Sequence, residues 1–101
     1  MAIAFKQITV NFDFTSGIRQ VQPFIADFNR KVLTAEAALK GFRIGFKDDD
    51  HEFFIQEIDI DILKIKDDVV EGRVEFLLQD DTGLGNDFGG YVQLIVIANL
   101  Q

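Results

Sequence analysis

From Ile8 to Phe14 the chain alternates. Ile8, Val10, Phe12 and Phe14 are apolar, and Thr9, Asn11 and Asp13 between them are polar. A period of two predicts a strand with one buried face and one wet face. Upstream, Ile3 and Phe5 fall on the opposite parity. That slip predicts a bulge, or a change of sheet, between Phe5 and Ile8. The next segment holds Phe24, Ala26 and Phe28 on one face and the only proline, Pro23. Proline has no N–H to give a ladder, so this strand is expected at a sheet edge, or broken at Pro23.

Residues 33–40, "LTAEAALK", admit two patterns. Thr34 as a cap, a run of alanines and Gly41 as a stop spell a short helix over 34–40. Yet Leu33, Ala35, Ala37 and Leu39 also alternate, and lead into Phe42, Ile44 and Phe46. A seven-residue helix is marginal without tertiary support. The favoured element is therefore one long strand with a parity break near Gly41.

Further on, Ile58, Ile60 and Ile62 oppose Asp59 and Asp61, and Val74, Phe76 and Leu78 face inward together. Polar turns separate these segments. The last, "YVQLIVIANL", loses the alternation: Leu94 to Ala98 are apolar on both parities. Such a strand asks for cover on both faces, whereas a two-layer sandwich covers one. The sum is an all-β, antiparallel two-sheet sandwich of six or seven strands over residues 1–101, one domain, with jelly-roll connections an option.

Composition narrows the function. Hydrophobic residues make up 48% and charged residues 27%, as in ordinary globular chains. No window reaches the roughly 18 apolar residues of a bilayer span, and "MAIAFKQITVNF" lacks the apolar core of a secretion leader. A cytoplasmic or unexported product, without a membrane partner, is the expectation. With no cysteine, disulfides, thiolate metal sites and cysteine nucleophiles are excluded. A net charge of −7 repels phosphate backbones, so no nucleic-acid partner is expected. The charge is lopsided: residues 1–47 sum to +4 and residues 48–101 to −11. That split can join two halves of one sandwich or join neighbouring subunits.

The candidate chemistry gathers in turns. The stretch Asp80 to Gly90, "DDTGLGNDFGG", holds four glycines and three aspartates. Asp80, Asp81, Asn86 and Asp87 supply the hard oxygens that calcium takes, six to eight at a time, and Asp48, Asp49 and Asp50 could add more from a loop at the same end. A glycine-rich turn with solvated aspartates explains the same residues. "GLGND" resembles the core of the calcium-binding nonapeptide repeat. That family stacks tandem copies, and this chain has one. His51, the only histidine, and Tyr91, beside the Gly-rich loop, are candidate ligand-binding residues together with Asp81 and Asp87. Each has a plainer role as a turn or strand-start residue. Ser16 with His51 and an aspartate lacks a nucleophile-elbow context. Asp59 and Asp61 read as solvated surface rather than a glycosidase pair.

The piece "AALKGFRIGFKDDDHEFFIQEIDIDI" resembles H-type lectins in layout: a Gly-Phe strand, a polar turn, then a long alternating strand. That resemblance implies an antiparallel sandwich assembling as trimers or trimer pairs; it carries no binding residues over. A non-enzymatic, self-associating binding or structural module, a trimer or hexamer, is the leading expectation. A carbohydrate-binding, lectin-like protein, with calcium as an optional cofactor, is the alternative.

Overall fold

The computed structural model describes residues 2–15, 19–46, 53–80 and 87–101. Six strands follow one another without a helix among the described residues: β1 (Ala2–Thr15), β2 (Arg19–Asp27), β3 (Val32–Phe46), β4 (Phe53–Lys66), β5 (Val69–Asp80) and β6 (Phe88–Leu100). Sheet A has the order β1–β6–β3 and sheet B the order β2–β5–β4, with every pairing antiparallel. Each connection crosses from one sheet to the other except the β4–β5 hairpin. This is a jelly-roll-like winding in six strands. Its extents, 50 × 19 × 18 Å, are those of a rod.

The inward parities fill the space between the sheets. Val92, Leu94, Val96 and Ala98 of β6 and Val70, Val74, Phe76 and Leu78 of β5 are buried, and both strands lie at sheet centres. The Phe76 ring sits 3.9 Å from that of Phe12 and 5.5 Å from that of Phe88, tilted against both. Burying each such ring stabilises the fold by about 1.5–3 kcal/mol. The backbone of Gly72 comes so close to Phe24 that an added Cβ would lie 2.3 Å from its ring.

The two ends of the rod differ. At the base, backbone N–H groups of Phe28, Val32 and Gln101 donate to the carbonyls of Asp68, Asp67 and Lys31. Asn29 and Asp67 adopt left-handed φ values of 59° and 53°, which Asn and Asp tolerate better than most residues. At the far end, Phe46 pairs with Phe88, Phe53 with Asp80, and Gln20 Nε2 donates to the Phe88 carbonyl at 2.7 Å.

Pro23 lies on an edge strand, in register with Arg73, without breaking it. The parity break near Gly41 is a register shift between Leu39 and Gly41. Three expectations need correction. The optional helix over 34–40 is absent: those residues belong to β3 and pair along β6, where a waiting partner strand outweighs a short run of helix formers. No bulge separates Phe5 from Ile8. The β1–β6 register is unbroken from Ala2 to Phe12, and Ile3 and Phe5 project outward instead. Finally, β6 starts at Phe88, not Tyr91, so Gly89 and Gly90 are strand residues.

Candidate functional site

Register defines the outer face of sheet A row by row. Ile3, Asn99 and Thr34 share the first row, Phe5, Ile97 and Glu36 the second, Gln7, Ile95 and Ala38 the third. Beyond the bulge come Thr9, Gln93 and Gly41, then Asn11, Tyr91 and Arg43. The face therefore has a half towards the base that is apolar on β1 and β6 and bordered by Glu36 of β3, and a polar half towards the far end.

In the apolar half, Ile3 and Phe5 are 61% and 69% exposed. Ile95 and Ile97 are half-buried. The missing second cover of β6 is thus supplied in part by its own sheet neighbours: Phe5 stands beside Ile97, and Lys40 Nζ donates to Gln7 Oε1 at 2.5 Å, linking β3 to β1 across the central strand. The Asn99 side-chain oxygen is buried and has no hydrogen-bond partner. No charged residue occurs anywhere in β6.

In the polar half, a cleft of about 560 Å³ is lined by Asn11, Phe12, Asp13, Phe14, Arg43, Gly90 and Tyr91. That is within the range of small-molecule sites. Local backbone chemistry makes it. The β1 register shifts between Phe12 and Thr15, and the bulged segment folds over Gly89, where an added Cβ would lie 2.7 Å from the Phe12 carbonyl oxygen. Gly90 has φ 145°, and a Cβ there would lie 1.8 Å from the Arg43 carbonyl oxygen. Only glycine lets β1, β6 and β3 approach so closely. The walls carry a carboxylate, an amide, a guanidinium and a phenol ring, a set that offers both donors and acceptors. A smaller cleft of about 270 Å³ opens between the edges of β3 and β4, over Leu39, Phe42, Gln56, Glu57 and Ile58.

Of the residues singled out from sequence, Tyr91 lines the larger cleft. Asp87 is exposed just before β6, and Asp80 ends β5 opposite Phe53. His51, Asp81 and Asn86, with Ser16 and Asp48 to Asp50, lie outside the described residues. No group of three or more metal-ligating side chains occurs among the described residues. Asn11, Asp13 and Arg43 were missed by sequence reasoning. The available signal was the pair Gly89-Gly90 opposite an alternating Asn11-Asp13 strand, which marks a close backbone approach. The charge split does not follow the sheets, since each takes strands from both halves of the chain. Arg19 to Glu75, at 2.9 Å, is an ion pair joining the halves.

No family model, no curated protein and no solved structure matches the chain.

Proposed function

We propose that this chain is a non-enzymatic sandwich that associates with copies of itself through the outer face of sheet A and serves as a binding or structural module. The carrying observation is the apolar half of that face: Ile3 and Phe5 project into solvent beside Ile95 and Ile97, on a central strand without a single charge. A contiguous apolar patch on a soluble domain marks an interaction surface. Shape supports a second copy as its occupant. A long side of 50 × 19 Å outlines about 950 Å², and stable interfaces need about 800 Å² per partner, so such a contact takes in the apolar half and part of the polar half of the face. The ends, at 19 × 18 Å, fall well short of that. A trimer or hexamer is the expected size. Light scattering behind size exclusion tests it: a mass of three or six chains at micromolar concentration supports the proposal, and a single-chain mass removes it.

The cleft favours a second reading, a lectin-like protein that takes a small neutral polyol such as a sugar ring. Donors and acceptors at one site suit hydroxyl groups, which are both, and the Tyr91 ring offers an apolar surface to a pyranose. Thermal unfolding with a sugar panel, with calcium and with EDTA tests it, because a ligand of the native state raises the melting temperature. A sugar-dependent rise that Arg43→Ala abolishes supports it; no rise with any sugar removes it. A rise with calcium that EDTA reverses, and that Asp81→Asn with Asp87→Asn abolishes, makes the Gly/Asp loop a cation site.

A further inference from the structure

We infer that all four sheet edges are barred to strand addition, so that copies of this chain meet face to face and assembly stops at a closed complex. The inference rests on the self-association proposed above and names what limits it. A three-stranded sheet has two edge strands, and here β1, β3, β2 and β4 are all edges. An open edge offers unpaired N–H and C=O groups to any other strand.

The four edges are closed in two different ways. On one side of the rod, β3 shifts register at Val32/Thr34 and again at Leu39/Gly41, and β4 shifts at Phe53/Ile55 and at Ile62/Lys64. Each bulge bends the strand and spoils a continuous docking ladder. On the other side, β2 keeps all nine residues in register with β5, and β1 keeps an unbroken register from Ala2 to Phe12. These two regular edges are the ones that carry a chemical block. Pro23 is the middle residue of β2. It stays in the ladder opposite Arg73, which proline can do only where its missing N–H would have faced the open edge. Lys6 lies near the middle of the regular part of β1, on the inward parity opposite Val96. Its ammonium crosses to β2 and donates to the Asp27 carbonyl at 2.6 Å. An inward-pointing lysine on an edge strand places a charge where an added strand would have to bury it. Bulges and blocks thus divide the work: β3 and β4 are each bulged twice, β2 carries only the block, and β1 adds a block in its regular part to the bulge between Phe12 and Thr15.

The test uses the full chain carrying Pro23→Val and Lys6→Val together, both good strand residues. Light scattering and thioflavin fluorescence are followed over days. We expect the double variant to grow at least tenfold in mass beyond the wild-type complex and to bind the dye, while wild type does neither. A double variant that keeps the wild-type mass and stays dark overturns the inference. Circular dichroism verifies folding, and if the double variant does not fold, Pro23→Thr alone is judged by the same criteria. Phe5→Glu separates this from the face contact. If wild type already runs as a single chain, the face proposal fails on its own, and edge growth is then scored from the single-chain state.

Discussion

The two outer faces of the sandwich are built from strands of similar length and treat water in opposite ways. Sheet B turns outward Glu57, Asp59, Asp61 and Lys64 from β4 and Glu71, Arg73 and Glu75 from β5. Among the described residues two ion pairs stitch it, Arg19 to Glu75 and Arg73 to Asp61 at 3.7 Å. Its exposed apolar residues, Val21 and Ile25 on β2 and Leu63 and Ile65 on β4, sit on the two edge strands, with charged residues on the same strands. Sheet A turns outward a central strand with no charge, Ile3 and Phe5 beside it on β1, and Glu36 and Arg43 beside it on β3. One face spends its side chains on hydration; the other is left half-dry. An amphipathic strand pattern and a doubly apolar one can thus occupy the same central position, and the proposed self-association uses the second.

The comparison can be broken most severely from the core that both faces share. Phe76→Ala removes the ring that packs from β5 against Phe12 and Phe88 of sheet A. We expect a loss of about 3–5 kcal/mol in denaturant unfolding, and a loss below about 1 kcal/mol would mean that the sheets are not packed as described. Next comes the face test itself. Phe5→Glu should weaken self-association about a hundredfold, which is roughly 2.7 kcal/mol, because it would bury an unpaired carboxylate. Ile25→Glu on the sheet B side, at 62% exposure, should leave the mass unchanged. Equal effects from both would erase the distinction between the faces. A smaller effect follows at the polar end of sheet A. Gly90→Ala should cost at least about 1–3 kcal/mol from its positive φ, with the displacement of the Arg43 carbonyl added to it, whereas Gly45→Ala, with nothing within 4 Å of an added Cβ, should be close to neutral in the same melts. The smallest effect belongs to sheet B. Glu75→Ala should cost only about 0.2–1 kcal/mol, since the Arg19 side of the pair is half exposed, and that loss should shrink in high salt.

Much of the fold was legible because period-two patterning carries its own geometry. The inward sets Ile58, Ile60, Ile62 and Val74, Phe76, Leu78 are the core-facing sets of β4 and β5. Pro23 announced an edge because its chemistry is local. The slip at Phe5 was misread for a physical reason. A change of parity signals a bulge only when apolar residues must point inward, and Ile3 and Phe5 point out. The 34–40 segment was ambiguous since alanine suits a helix, and only β6 alongside it decides the matter. The cleft was the least legible part. Tyr91 could be picked out by its place beside glycines, but Asn11 joins it from β1 and Arg43 from β3 through register, and Asp13 through the bulge after Phe12. Register between strands some 80 and 50 residues apart is a property of the folded sheet and leaves no mark in any short stretch of sequence.

Ala2 and Leu100 are partners in the β1–β6 ladder, and so are Asn11 and Tyr91. Nine residues of strand separate the two pairs, about 30 Å at 3.3 Å per residue. Anything joined to the chain beyond Ala2 or Leu100 therefore departs from the pole opposite the cleft. A tether, label or fused module placed there would leave the Tyr91 end unobstructed, and in a bundle of parallel copies every cleft would point away from the anchoring side.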